Sequence, residues 1–175
     1  LYVNDPQTFV GAVATSFFGA AIPEEIAKFI MFWLIVRSSR YFDEHMDGIV
    51  YASSVALGFA ALENVMYLIS NYESWVSVGI SRALFSVPGH FFFGVLMGYY
   101  YSLVRFDPAA SKNTRWLVIL APVLAHGAYN SVLFVLDVAP GLSLILVVVF
   151  LWLCNKLRKY ASAKIREHLV RDGVI

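Results

Sequence analysis

The sequence predicts an all-α, polytopic transmembrane helical bundle of about five or six membrane segments, and three observations carry that expectation. Of the 175 residues 59% are hydrophobic and only 14% charged, whereas an ordinary soluble domain is about 25% charged. The charged residues cluster, leaving apolar runs between them of about the 20 residues that cross a bilayer as a helix. Aromatic residues reach 16%, which suits membrane interfaces as well as packed helices. Mean hydropathy is +0.69. Too little charge remains to cover a water-facing surface, so a soluble enzyme and a disordered tail are excluded. The net charge of +1 leaves no basic surface for a nucleic acid. The single cysteine, Cys154, rules out an internal disulfide framework and reads as a packing residue.

The first segment, 8–36, is apolar apart from Glu24, Glu25 and Lys28. As a helix it would run longer than a bilayer core of about 30 Å. Pro23 lies inside it and predicts a break there: either one bent span, or a re-entrant piece over 8–21 followed by a helix from Pro23. Pro at a helix start, then two glutamates in the first turn, fits the second version. Further spans are expected at 48–70, 75–104 (bent by Pro88), 115–136 and 140–157. The chain begins at Leu1 rather than Met, as a fragment of a longer protein with an earlier span would.

Charge predicts sidedness. Arg37 and Arg40, then Arg105, Lys112 and Arg115, and then the tail lie on alternate sides of the spans from Asp5, Glu73 and Asp137. Basic residues stay in the cytoplasm, so the C-terminus is expected there. Residues 1–155 form the expected transmembrane catalytic domain. Residues 156–175, with Lys156, Arg158, Lys159, Lys164, Arg166 and Arg171, form an expected basic cytosolic tail helix at the lipid surface. Asp43, Glu44, His45 and Asp47 read as a solvated loop.

An ionisable group in hydrocarbon costs about 3 kcal/mol even on lenient scales, so those left inside spans are functional candidates. They are Glu24, Glu25, Lys28, Glu63, Arg82, His90 and His126, with the amides Asn64 and Asn130. Glu24 with Lys28, and His126 with Asn130, are spaced i,i+4 and share helix faces. At a 1.5 Å rise per residue, Glu24, Glu63, His90 and His126 lie roughly 16–24 Å from their cytosolic helix ends. Four helices thus offer a glutamate or histidine at similar depth, which predicts one shared polar site. Read singly, each has a plainer role: Glu24 with Lys28 as an ion pair that fixes packing, either histidine as a hydrogen-bonded core residue, and Arg82 as snorkelling or paired with Glu73.

Two carboxylates and two imidazoles in a dry cavity can activate a water, with a buried glutamate as base. His126 and Asn130 can donate to a developing oxyanion. That set fits hydrolysis of an amide bond. No serine or cysteine sits in a nucleophile motif, and His-Glu-x-x-His is absent. Two histidines and a carboxylate, His90, His126 and Glu24, can also hold a zinc ion with one position open for water. The alternative is a membrane transporter or span-binding scaffold with a Glu/His proton relay. The absence of a visible inverted repeat weighs against a transporter.

Glu24-Glu25-Ile26-Ala27-Lys28 resembles the EExxK motif of the PrsW family of intramembrane proteases. Leu62-Glu63-Asn64 resembles that family's second acidic motif, and Pro88-Gly89-His90 and His126-Gly127-Ala128-Tyr129-Asn130 resemble its third and fourth. The order and spacing match over about residues 20–135. The family shares a clan with the CAAX prenyl proteases and the abortive-infection membrane proteins. The resemblance implies a multi-pass protease of a bacterial or archaeal cell membrane. It implies a membrane-anchored protein substrate, such as an anti-sigma factor, and catalysis by a glutamate-activated water or by zinc. By the same resemblance Glu24 or Glu25 activates water with His90 as its partner. His126 and Asn130 form the oxyanion or supporting pair, and Glu63 supports the site or activates water itself.

Overall fold

The structure is a computed structural model that describes residues 8–110 and 112–175. The described residues are helical almost throughout, in seven α-helices: α1 (Phe9–Ala14), α2 (Ile22–Val36), α3 (His45–Ser70), α4 (Trp75–Ser81), α5 (Val87–Phe106), α6 (Lys112–Val138) and α7 (Ser143–Arg171). Asp5 and the side chain of Asp137, both used above to assign sides, lie outside what is described. Three stretches, His45–Ser70, Tyr72–Phe106 and Lys112–Leu136, are long and apolar enough to cross a membrane.

The interruption expected near Pro23 takes the form of a widened helix. Residues Thr15–Ala21 join α1 to α2 as a π-helix, and the Ile22 N–H donates to the Phe17 carbonyl, five residues back. Proline offers no N–H, and its ring excludes the ordinary carbonyl four residues before it. Opening the ladder by one residue accommodates both demands. The backbone therefore continues from Phe9 to Val36, as the bent-span version requires, with no separate re-entrant piece. The same device precedes Pro88: Arg82–Ser86 is π-helical, and the Val87 N–H donates to the Arg82 carbonyl. Each π-stretch leads directly into a chemistry-bearing turn, Glu24 and Glu25 in one case and His90 in the other.

α3 and α5 form the centre of the bundle because glycines let their backbones meet. A Cβ at Gly94 would come within 2.7 Å of Ser53 Cα, and one at Gly98 would fall on the Gly48 carbonyl. Around this seam Phe32, Ala52, Met97 and Val118 pack as one core cluster, and Phe93, Tyr129 and Phe150 as another. Leu62, Ile69, Trp116 and Leu144 stay exposed, as side chains facing lipid would.

α7 runs through residue 156 without a break. Its apolar first part, residues 143–154, rises only about 18 Å. Its basic half packs against α3 and α5, where Ala161 and His168 are buried. Asp172, just past its end, accepts from the N–H groups of His45 at 2.9 Å and Met46 at 2.7 Å and from His45 Nδ1 at 2.8 Å. The first turn of α3 is thus capped by the far end of the chain. The segment expected to be a solvated loop is also structured: Asp47 accepts from the N–H groups of Asp43 and Glu44 at 3.0 and 2.9 Å. Only part of its charge therefore goes to water.

Candidate active site

The polar residues read from the sequence converge from α2, α3, α5 and α6. At their centre is the Lys28 ammonium, 2.7 Å from Glu25 Oε1, 2.8 Å from His90 Nδ1 and 3.6 Å from Glu24 Oε2. Glu25 is fully buried and Lys28 is 1% exposed. Pro23 starts the turn that holds them. The following i,i+3 and i,i+4 spacings lay both carboxylates along one face with the lysine.

The tautomers of both histidines follow from their partners. An ammonium only donates and a carboxylate only accepts. His90 Nδ1 must therefore accept from Lys28, and His90 Nε2–H donates to Glu63 Oε2 at 3.0 Å. His126 Nδ1–H donates to Glu25 Oε1 at 2.8 Å, and its Nε2 accepts from Asn130 Nδ2 at 3.0 Å. Both rings are neutral in this arrangement, and all four ring nitrogens are engaged. The rings lie 5.3 Å apart, and Phe93 stacks on His126 at 4.7 Å.

The glutamates differ. Glu63 is held by Arg82 Nη2 at 2.7 Å as well as by His90. Glu25 accepts from Lys28 and His126 on one oxygen. Glu24 makes only looser ion pairs, to Lys28 at 3.6 Å and to His126 Nε2 at 3.9 Å, and its side chain is 19% exposed. The buried Glu24 Oε2 has no hydrogen-bond partner. A buried acceptor without a donor is costly, and such positions are where a reacting molecule or ion would bind.

All six residues expected to be catalytic, Glu24, Glu25, Glu63, His90, His126 and Asn130, come together. Lys28, a candidate for which an ion pair with Glu24 is the plainer reading, lies at their centre. Arg82 does not snorkel or pair with Glu73. Its Nε donates to Asn64 at 2.6 Å, its Nη2 binds Glu63, and its guanidinium lies 3.9 Å from the Tyr67 ring centre. Lys28's spacing from the glutamates was visible in the sequence. Arg82, beginning the π-stretch ahead of Pro88, carried no comparable signal. For a metal, one donor atom each from Glu24, Glu63 and His90 lies within 4.8 Å of the others. That group shares Glu24 and His90 with the set expected from the sequence and has Glu63 in place of His126.

Fold and site together define a multi-span helical membrane protein with a buried carboxylate–imidazole centre. Residues 2–154 match the family model described as PrsW family intramembrane metalloprotease, and the chain belongs to that family. It is 40% identical to Protease PrsW of Oceanobacillus iheyensis over 140 residues, which are 79% of this chain and 62% of the relative. It is 35% identical to Protease PrsW of Clostridioides difficile over 155 residues, 86% of this chain and 65% of the relative. It is 40% identical to the Bacillus subtilis protein of the same name over 129 residues, 73% of this chain and 57% of the relative. The chain therefore spans less than two thirds of the length of these curated relatives. No solved structure matches it.

Proposed function

We propose that this chain carries the catalytic centre of an intramembrane endopeptidase that hydrolyses a peptide bond in a membrane-anchored protein, an anti-sigma factor being the expected kind. The membrane is a bacterial cell membrane, with the C-terminus in the cytoplasm. The observation that carries this reading is the partly exposed, loosely paired Glu24, its buried Oε2 without a partner, beside the hydrogen-bonded Lys28–His90–Glu63 and Glu25–His126–Asn130 network.

Glu24 is the base. Glu25 also has an unpartnered Oε2, but it is fully buried and tied through Oε1 to Lys28 and His126. Glu63 is tied to Arg82 and His90, and both imidazoles use both nitrogens. That leaves the partly exposed, loosely paired Glu24 as the group a water reaches. Glu24 accepts one from a water, whose oxygen attacks the scissile carbonyl carbon. Negative charge then develops on the carbonyl oxygen. Lys28 has a third N–H, and the Asn130 amide a second, for that oxyanion. His126 acts through its neighbours: its Nε2 accepts from Asn130 and so orients the amide. Glu63, clamped between Arg82 and His90, fixes the His90 ring and through it Lys28. The proton on Glu24 passes to the leaving amine, which completes hydrolysis.

The family description names a metalloprotease. The donors fit: two carboxylates and an imidazole gathered within 4.8 Å, one of the carboxylate oxygens buried without a partner. Glu24, Glu63 and His90 would hold a zinc ion, which when bound supplies a water acidic enough to attack near neutral pH.

The test uses the full chain in proteoliposomes with a single-span protein of the anti-sigma type. Glu24→Gln should lower kcat about 10²- to 10⁴-fold while thermal unfolding stays unchanged. Cleavage by Glu24→Gln at the wild-type rate would remove Glu24 from this role. Loss of cleavage to a chelator, with recovery on adding zinc, decides for the metal form.

A further inference from the structure

Next to the site, at the end of the bundle where α3 meets α4, is an open cavity of about 490 Å³ lined by Tyr67, Asn71, Ser77, Val78, Ser81 and Arg82. We propose that this cavity is a substrate subsite: it seats the extended, polar segment of the protein substrate that follows its membrane span at this end. The inference rests on the protease reading for the identity of the ligand.

Its volume lies in the range of about 300–1,000 Å³ found for ligand sites. Val78 is the one aliphatic side chain in the wall; the others bring hydroxyls, an amide and a guanidinium. Such polar groups are best satisfied by a wet, polar occupant. The charge selects among polar occupants. The Arg82 cation is already offset by Glu63 at 2.7 Å, so a phosphate or another strong anion meets little uncompensated positive charge. Asn71 Nδ2 and Ser77 Oγ already donate to the Tyr67 and Ser74 carbonyls at 2.9 Å each. What Asn71 and Ser77 add to the wall is therefore acceptor oxygens, which match the N–H groups of a peptide backbone.

The connection to the centre is short. Arg82 lines the cavity and donates to Glu63, and Glu63 accepts from His90 at 3.0 Å. A peptide seated here lies two hydrogen bonds from the His90 ring. The wall is also compliant, since α4 buries none of its seven residues and ends where the π-stretch begins at Arg82.

The experiment compares two single-span substrates in proteoliposomes, one with a polar ten-residue extension beyond the span at this end and one cut at the span's end. Ser77 is exposed and outside the catalytic machinery, so Ser77→Trp fills the cavity without touching the centre. It should raise KM for the extended substrate about 10-fold or more, leave kcat unchanged and leave the short substrate unaffected. Equal effects on both substrates, or none on the extended one, would overturn the subsite. A second arm does not need cleavage. In the Glu24→Gln background, benzoylphenylalanine in place of Ser77 should photo-crosslink the extended substrate, and in place of Ile145, exposed on α7, it should not. Capture of the short substrate to the same degree, or of lipid alone, rejects the proposal. If the wild type cleaves neither substrate, the protease reading fails, while the crosslink still decides whether the cavity binds the peptide.

Discussion

Two polar clusters sit in this bundle, one buried and one partly exposed, and they spend their hydrogen bonds differently. In the tail cluster Asp172 is consumed by the N–H groups of His45 and Met46 and by the His45 ring. Nearby, Tyr99 and Lys164 hold Glu167 at 2.7 and 3.1 Å. Its carboxylates fasten the C-terminal end of α7 to α3 and α5. In the membrane cluster Lys28, His90, His126 and Asn130 are joined by hydrogen bonds as well, yet Glu24 Oε2 and Glu25 Oε2 are left without partners. The tail cluster has orphans too, His45 Nε2 and His168 Nδ1, but these belong to imidazoles. An unpaired carboxylate oxygen is far more expensive to bury than a neutral ring nitrogen. What separates a site from a fastener here is therefore the kind of group left unpaired rather than the number of charges.

The sharpest way to break this comparison is Lys28→Met. It leaves Glu25 fully buried with its ammonium partner gone. Removing one partner of a buried pair costs about 3–5 kcal/mol, and the melting temperature in detergent should fall accordingly. Adding Glu25→Gln should recover much of the loss, because the stranded charge is then removed. A stable Lys28→Met single variant would show that the lysine is not the keystone of the cluster.

Next comes Asp172→Asn. Hydrogen bonds to a charged group contribute about 1.5–3 kcal/mol, so stability should drop by about that amount. Cleavage per folded molecule should not change, since the tail only fastens. A fall in kcat with normal stability would join the two clusters functionally.

The last effect is a pH dependence carried by the tail. Burial pushes His168 down from 6.5 to about 4, with His45 and Arg171 nearby adding to the effect and the Tyr99 carbonyl and Asp172 opposing it. The folded state therefore prefers the neutral ring, while the unfolded chain takes up a proton below about 6.5. The contribution is complete above pH 6.5 and is lost as pH falls toward about 4. Asp172 acts in the same sense at lower pH. Burial alone would raise it, but the His45 and Met46 N–H groups hold it below its ordinary value. Melting curves of His168→Gln and wild type should converge in acid and diverge in slope between pH 6.5 and 4. Parallel curves would place the sensitivity elsewhere.

Much of the site was legible because charge is so scarce. Glu63, His90 and His126 stand out in apolar runs, and helical rise put them at one depth, which is where the bundle brings them together. The spacing of Glu24, Glu25 and Lys28 showed a shared face. It did not show that Lys28 would reach His90, 62 positions away. Arg82 was misplaced because its apparent height near a helix end suggested water or Glu73. It begins the π-stretch and bonds Glu63 instead. The docking of the tail was invisible as well: a basic helix beside lipid reads as an anchor, and nothing local pairs Asp172 with His45, 127 positions away.

The sequence by itself determined the inventory, since hydrophobic runs must be helices in a bilayer and the few ionisable residues within them must find partners. It also determined their approximate depth, because an α-helix rises a fixed distance per residue. Only the tertiary structure decided which partner each one takes. Glu25 meets His126 across 101 residues, and Asp172 meets His45 across 127. Such pairings join α2 to α6 and the end of α7 to α3, and they depend on how the helices pack, not on any local pattern. For the same reason the structure alone shows that Glu24 is the carboxylate with an unpartnered buried oxygen and only loose ion pairs.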